Sequence, residues 1–244
     1  MTGSGFGIRD WAVTNRGGGR LTYYRLVPPA THLNLWKRQL GRVPDSVWNE
    51  RDLETLVLAD NALTEISQRI GSLENLRMLD LGHNLLTQLP DSIGDLDGLT
   101  DFLYLHDNRL SSLPLSIAKL TRLRYLNISE NAMTALPDSV CALAGLIELR
   151  ASDNQLTELP PAIGALSRLR ELHLRNNQLR MLPDAIGQLT ELRQIDLRGN
   201  PLASLPPHIA TLPKLDKLDL RWVPTLAPPP WLEDLEARGC VVYR

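Results

Sequence analysis

Asparagine recurs along this chain of 244 residues at an almost constant interval. Successive spacings are 23 residues, apart from one spacing of 24. Periods of roughly 20 to 50 residues are typical of repeat proteins, in which each repeat forms one supersecondary unit. The chain is therefore predicted to be a stack of similar units, centred on Asn61, Asn84, Asn108, Asn131, Asn154, Asn177 and Asn200.

Each asparagine lies in the same pattern of apolar residues. Between Leu169 and Leu189 the pattern is Leu-x-x-Leu-x-Leu-x-x-Asn-x-Leu-x-x-Leu-Pro-x-x-Ile-Gly-x-Leu. The alternating leucines before the asparagine predict a short strand with one buried face, and the later spacings of four and three suit a helical turn. Weaker copies, with Arg38 and Val223 in the asparagine position, extend the stack to about nine coils. Because one repeat buries too little surface to offset the entropy of ordering it, the repeats must stack.

This pattern resembles the leucine-rich repeat family, in the 23-residue class of bacterial or intracellular type, over roughly residues 31–226. The resemblance implies an α/β fold, a right-handed solenoid or horseshoe with a parallel β-sheet on its concave side. Some relatives are intracellular scaffolds that hold small GTPases or kinases. Others are secreted effectors with an attached catalytic domain, for which the roughly 20 to 30 residues at either end of these repeats are too few.

The two ends of the solenoid need caps, because they would otherwise expose apolar side chains. Residues 1–30 are interpreted as an N-terminal cap, in which a hairpin flanks the glycine-rich segment at residues 15–20. Residues 227–244 are interpreted as a C-terminal cap of one amphipathic helix, ended by Gly239, and one strand. Within the repeats the asparagines are assigned a structural role, in which each side-chain amide satisfies backbone groups at the bend.

Composition and charge argue against several functional classes. Lys and Arg number 26 against 28 Asp and Glu, so no general field attracts nucleic acid or an anionic membrane. The two cysteines, Cys141 and Cys240, have no metal-ligand spacing and favour a reducing compartment. We expect a cytoplasmic monomer without a cofactor. Export by a route that needs no cleaved apolar signal is also compatible with the sequence.

The register of the strands predicts which side chains face out of the concave surface. Phe102, Tyr104, His106 and Tyr125 fall on adjacent strands and form one aromatic cluster in a chain that is only 5% aromatic. Exposed aromatic residues are common binding anchors, so this is the first candidate for a partner-binding site. The alternative is that the rings stack on one another and only stabilise the sheet.

A second candidate zone is rich in arginine, which favours recognition of carboxylate or phosphate. The interleaved acids Glu148, Glu171 and Asp196 leave open a self-neutralising, solvated surface instead. The zone comprises Arg150, His173, Arg175, Arg198, Arg221 and Trp222.

The extra residue of the single 24-residue coil falls between Leu99 and Leu103. It is interpreted as a bulge or a wider turn that re-aims Phe102, or as a tolerated surface insertion.

No catalytic or metal-binding constellation is predicted. Ser129 and Ser152 have no histidine neighbour in register, and Cys141 occupies a position that is glycine in other coils, so it is expected to be a buried thiol. His83 and His106 lie on neighbouring coils without a closed set of metal ligands. The sequence thus favours a non-catalytic protein-interaction module. The alternatives are a receptor for carbohydrate or another small polar ligand, and a secreted effector.

Overall fold

The computed structural model describes residues 31–244 and two separate strands, β1 (Trp11–Thr14) and β2 (Thr22–Arg25). These two strands pair antiparallel, with Trp11 opposite Arg25 and Thr14 opposite Thr22. The glycine-rich segment between them lies outside the described residues, as does the rest of the segment interpreted as the N-terminal cap.

The remaining ten strands form one parallel sheet in which spatial order follows chain order. This sheet confirms the solenoid fold predicted from the repeats: nine coils each contribute one strand, and a tenth strand follows at the C-terminus. The strands are β3 (His32–Asn34), β4 (Thr55–Val57), β5 (Met78–Asp80), β6 (Phe102–Tyr104), β7 (Tyr125–Asn127), β8 (Glu148–Arg150), β9 (Glu171–His173), β10 (Gln194–Asp196), β11 (Lys217–Asp219) and β12 (Val241–Tyr243).

Short helices return the chain along the opposite, convex side. All but one of the helices within the coils are single 3-10 turns, and most follow a proline whose φ lies between −59° and −70°. Proline suits this place because it fixes φ and lacks the amide hydrogen that would be spare at a helix start. The 3-10 helices are Asp45–Asn49, Gln68–Ser72, Asp91–Asp95, Leu115–Lys119, Pro161–Ala165, Asp184–Gln188 and Pro207–Thr211, and the exception is the α-helix α1 (Asp138–Cys141). Among the described residues, no helix is long and apolar enough to cross a membrane.

The asparagines form a ladder inside the stack. The Oδ1 atom of Asn84 accepts hydrogen bonds from the backbone N–H groups of Asn61 and Leu63, at 3.1 and 3.0 Å. Its Nδ2 atom donates to three backbone carbonyls within and between coils, at 3.0 to 3.1 Å. The Oδ1 atom of Asn61 likewise accepts two N–H groups, and from Asn108 to Asn200 each Oδ1 accepts one. Throughout the series Nδ2 also donates to a carbonyl of the preceding coil. Each side chain therefore ties its own bend to the preceding coil.

The C-terminal end of the solenoid is covered by helix α2 (Leu232–Ala237) and strand β12. Leu232 and Leu235 are buried against the last coil, and β12 pairs with β11. Gly239 follows the helix with a φ of +93°, a conformation that glycine adopts without strain.

The 24-residue coil has an undisturbed strand and a longer turn before it. Met78 lies opposite Phe102 and Asp80 opposite Tyr104, so β6 contains no bulge. In other coils, one backbone carbonyl at the turn before the strand accepts hydrogen bonds from two successive N–H groups of the next coil. The carbonyl of Arg124, for example, accepts from the N–H groups of Ile147 and Glu148. In the longer turn the two bonds separate, and the carbonyls of Thr100 and Asp101 accept one each. The extra residue thus lengthens the turn, and Phe102 keeps its place in the register of the strands.

Candidate binding surface

The concave face carries the predicted aromatic rings in mutual contact. Register places Phe102, Tyr104 and Tyr125 side by side on β6 and β7. Their ring centroids are 5.0 to 5.8 Å apart, and the rings of Phe102 and Tyr104 stack within 11° of parallel. The ring of His106 meets Tyr104 edge-on at 6.1 Å. These four residues are called the aromatic cluster below.

The cluster is partly desolvated and still accessible. Phe102 keeps 42% of its surface exposed, while Tyr104 and Tyr125 are half-buried. Burial raises the pKa of Tyr125 to about 12 and also raises the pKa of Tyr104. The Arg150 guanidinium lies 5.9 Å from the centre of the Tyr125 ring. Both phenols are therefore neutral near pH 7, and the cluster offers apolar ring surface with two hydroxyl groups.

His106 extends the cluster toward β5 because the residue beside it is glycine. A Cβ atom at Gly82 would lie 2.5 Å from Cε1 of His106, so only glycine leaves room for this ring position. The Nε2 atoms of His106 and His83 are 3.2 Å apart, and Nδ1 of His83 lies 2.6 Å from Oδ2 of Asp107. Burial, followed by the neighbouring His83, lowers the pKa of His106.

Each arginine of the second predicted zone has an acidic partner within the chain. Arg175 contacts Asp153 at 3.0 Å, Arg150 contacts Glu148 at 2.5 Å, and Arg198 and Arg221 bind Asp196 and Asp219 with two nitrogens each. This pairing agrees with the self-neutralising alternative, because no arginine here has to bind a partner to find an anion.

Asp219 departs from its expected position on the surface. Register alone places it among the outward-facing residues, yet it is only 1% exposed. Arg198 and Arg221 both reach its carboxylate, and β12 lies beside it. Burial acts to raise the pKa of Asp219, but the hydrogen bonds from Arg221 and the positive charges of Arg198 and Arg221 together hold the pKa below its usual value. Asp219 thus holds the side chains of Arg198 and Arg221 in place and is too buried to contact a partner.

Glu148, Glu171 and His173 form a group that sequence reasoning assigned only as separate residues. The register of β8 and β9 brings them together, with ligand atoms all within 4.8 Å of one another. The Nε2 atom of His173 is 3.2 Å from Oε2 of Glu171 and 3.8 Å from Oε1 of Glu148. Carboxylate and imidazole are ligands that Zn²⁺ accepts. However, Nε of Arg150 lies 2.5 Å from Oε1 of Glu148 and already supplies a positive charge there.

The C-terminal rim contains a smaller aromatic pair. Trp222 is 68% exposed, and the Arg221 guanidinium lies 5.7 Å from its ring and 5.0 Å from that of Tyr243. Trp222 was a predicted contact residue, whereas Tyr243 was missed. The missing information was the pairing of β12 with β11, which follows from the cap and not from the repeat pattern.

Chemically reactive groups in the described coils are buried or already engaged. Cys141 is 2% exposed, and burial together with Asp138 raises the pKa of its thiol to about 11. The Oγ atom of Ser129 accepts the backbone N–H of Ser152. In the described residues these side chains form no nucleophile-histidine pair of the kind used in acyl transfer.

The sequence matches the family model described as "Leucine rich repeat" at residues 51–102, 101–156, 145–202 and 167–222. These matches span most of the solenoid. The chain belongs to the leucine-rich repeat family, as the repeat pattern predicted. Members of this family are typically non-enzymatic. No functionally curated protein matches the chain significantly in sequence.

Three solved structures illustrate the similarity. The first is the leucine-rich repeat ectodomain of the plant membrane receptor kinase GASSHO1/SCHENGEN3 from Arabidopsis thaliana, in complex with CASPARIAN STRIP INTEGRITY FACTOR 2. It is 34% identical to this chain, and the alignment covers 73% of this chain and 22% of the receptor chain with a TM-score of 0.66. The plant peptide hormone receptor RGFR1 in complex with RGF2 is 25% identical over 82% of this chain and 33% of that chain, with a TM-score of 0.70. The leucine-rich repeat domain of the type III effector XCV3220 (XopL) is 27% identical over 89% of this chain and 77% of that chain, with a TM-score of 0.75. The present chain therefore spans only about a fifth to a third of the two receptor chains.

Proposed function

We propose that the chain is a non-catalytic protein-interaction module that binds a protein partner on its concave face. The aromatic cluster supplies the main contacts, and the arginine zone flanks it. The observation that carries this proposal is the 42% exposure of Phe102 within a set of rings 5.0 to 5.8 Å apart. Rings that served only to stabilise the sheet would have no need to leave this apolar surface in water.

The physical basis is the energetics of aromatic anchors. Binding energy at protein interfaces concentrates on a few residues, among which tyrosine and tryptophan are enriched. Tyr104 and Tyr125 are half-buried and pack against Phe102, so a partner that covers them orders side chains that are already in contact. The paired arginines are held in place by their acids and offer their remaining N–H groups at the edge of the contact.

The similar proteins support the class of function. Two of them are receptors whose repeat ectodomains are in complex with a protein or peptide factor, and leucine-rich repeat domains commonly mediate such interactions. For this chain the nature of the partner is part of the proposal. So are its cytoplasmic location and monomeric state, with which two buried free cysteines are compatible.

A second candidate function is that of a secreted effector. It is favoured by the 27% identity to the repeat domain of a type III effector over 89% of this chain. An effector of this kind would use the same concave surface to bind a protein of another cell. The two functions differ in where the partner is found and agree on the binding site.

The test compares a double variant, Phe102→Ala with Tyr104→Ala, against Leu115→Ala as a matched control. Leu115 is 82% exposed on the convex side, so its removal changes apolar surface without touching the cluster. A partner captured from cell lysate by the wild-type chain is then measured by calorimetry with each purified variant. We expect the double variant to lose at least tenfold in affinity, about 1.4 kcal/mol, and the control to lose none.

Equal affinity of all three proteins would contradict the proposed site. A glycan that raises the melting temperature in proportion to its concentration, when no protein partner is bound, would favour the carbohydrate receptor instead.

A further inference from the structure

A notch opens at the edge of the concave sheet, in the turns that lead into strands β7, β8 and β9. It has a volume of about 460 Å³. Arg122 and Arg124 lie on one side, Arg168 lies on the other, and Gly145 lies between them. Sequence reasoning did not single out this place, because none of these residues faces the centre of the concave surface.

The notch exists because one coil lacks the side chains of its neighbours. In the repeat pattern Gly145 takes the position of Arg122 and Arg168, and Ile147 takes the position of Arg124. Gly145 donates its N–H to the carbonyl of Thr121 at 2.8 Å, and a Cβ atom there would lie 2.7 Å from that oxygen. The close approach of the two coils therefore requires glycine. Since neighbouring strands lie about 4.8 Å apart, the backbones of the two arginine-bearing coils are roughly 10 Å apart across the notch.

The three arginines of the notch form no ion pair within the described chain. Arg124 and Arg168 have no side-chain hydrogen bond or ion pair within the described chain, and the Arg122 guanidinium donates only to the neutral backbone carbonyl of Asp97. Thr121 and Ser167 add two hydroxyl groups, and no carboxylate belongs to the lining in the described residues. In contrast, every arginine of the concave zone has an acidic partner. This is the one cluster of arginines, among those described above, that lacks an anion.

Three nearby acids are paired with other cations, whereas Asp97, which lines a pocket with Arg122, has no ion pair in the described chain. Asp101 contacts Arg77 at 3.1 Å, Asp95 contacts Lys119 at 2.8 Å, and Glu191 contacts Lys214 at 2.5 Å. Together with Asp97, these pairs limit the positive field of the notch to a small area. A compact anion with several oxygens matches that site better than an extended polyanion does.

We propose that the notch, through Arg122, Arg124 and Arg168, binds a phosphoryl group carried by a side chain of the protein partner. A phosphoryl group has close to two negative charges and three acceptor oxygens near pH 7, and guanidinium groups bind such oxygens in pairs. A single carboxylate would leave two of the three arginines without a counter-charge.

The notch is continuous with the aromatic cluster, so the inference rests on the proposed function. Arg124 also lines a neighbouring pocket of about 440 Å³ whose other walls include Phe102 and Tyr125. One partner segment can therefore place an apolar side chain on the rings and a phosphorylated side chain in the notch. The longer turn at Thr100 and Asp101 forms part of this same edge, since Asp101 lines the pocket.

The first experiment uses inorganic phosphate as the probe. The Nε–Hε resonances of arginine are followed by NMR while phosphate replaces chloride at constant ionic strength, in the wild type and in the double variant Arg124→Gln with Arg168→Gln. Arg180→Gln is the matched control, because Arg180 is exposed and has no ion pair in the described chain. We expect saturable shifts at Arg122, Arg124 and Arg168 in the wild type and in the control, and loss of the Arg122 shift in the double variant. Shifts of the same size at Arg180, or no saturation, would overturn the site.

The second experiment separates this inference from the proposed function. The captured partner is treated with a phosphatase, and its affinity is measured for the wild type, the Arg124/Arg168 double variant and Phe102→Ala. We expect dephosphorylation to weaken binding to the wild type at least tenfold and to leave binding to the double variant unchanged. If dephosphorylation has no effect while Phe102→Ala still weakens binding, the notch proposal fails and the proposed function stands. If neither matters, both fail. A single-stranded oligonucleotide that competes with the partner and requires the same two arginines would overturn the assignment to a phosphorylated protein.

Discussion

Replacement of Asn84 by alanine tests how far the solenoid depends on its asparagine ladder. Asn84 is 5% exposed and makes five hydrogen bonds to backbone groups. The three carbonyls to which it donates keep other donors, namely the amides of Asn61 and Asn108 and the N–H of Asp60. The N–H groups of Asn61 and Leu63 have no such replacement. Both would be left buried and unpaired.

The expected loss follows from those two N–H groups. An unsatisfied buried donor costs about 1 to 3 kcal/mol, so Asn84→Ala should lower the free energy of unfolding by about 2 to 6 kcal/mol. Asn75→Ala is the matched control, since Asn75 is exposed and its amide makes one hydrogen bond, to the carbonyl of Arg51 at 3.0 Å. Loss of that bond should cost about 1 kcal/mol or less.

Urea unfolding followed by circular dichroism and by tryptophan fluorescence measures both variants. The five tryptophans include Trp48, which is buried in the N-terminal coils, and Trp222 at the C-terminal rim, so fluorescence reports on tertiary packing at both ends while circular dichroism reports on secondary structure. Coincident transitions would justify treating unfolding as two-state. If Asn84→Ala and Asn75→Ala lose the same small amount, the ladder does not carry the stability assigned to it.

Three further predictions concern individual groups. Since burial raises the pKa of Tyr125 from its usual value of 10.0 to about 12, the neutral phenol stabilises the fold fully below pH 10 and this contribution is lost as the pH rises through 12. Tyr125→Phe should therefore lose less stability than the wild type between these two pH values, as measured by urea unfolding, and an equal loss would show that the phenol does not titrate there. Cys141 is buried with a thiol pKa of about 11, so at pH 8 it should react with a thiol reagent far more slowly in the native chain than in urea, and equal rates would contradict its burial. Gly82→Ala should displace the His106 ring, because an added Cβ atom would lie 2.5 Å from it. The NMR signals of His106 should then move while those of His173 stay in place, and unmoved His106 signals would refute the close approach.

The sequence predicted the structure correctly at positions where one repeat could be compared with the next. The repeat pattern, with its weaker copies at Arg38 and Val223, predicted about nine coils. It also predicted that the strands are parallel and that Phe102 lies beside Tyr125, because every coil follows the same geometry. The pattern does not determine the burial of a position that depends on neighbours outside its own repeat. Asp219 is buried because two arginines and the strand of the C-terminal cap converge on it.

The arginine notch illustrates a different limit. Gly145 is unremarkable within its own coil, and its importance arises from the arginines two coils apart that it separates. The group of Glu148, Glu171 and His173 likewise depends on which residues face each other across β8 and β9. The repeat pattern predicts which residues face outward, but it does not show which of their side chains come into contact.

The central claim, that the partner binds on the concave aromatic cluster, is tested most directly by photo-crosslinking. A photoreactive phenylalanine analogue is placed at Phe102 in one protein and at Leu115 in another, since both residues are exposed and lie on opposite sides of the solenoid. We predict that the partner is crosslinked from position 102 and not from position 115. Crosslinking from position 115 alone, or equally from both, would contradict it.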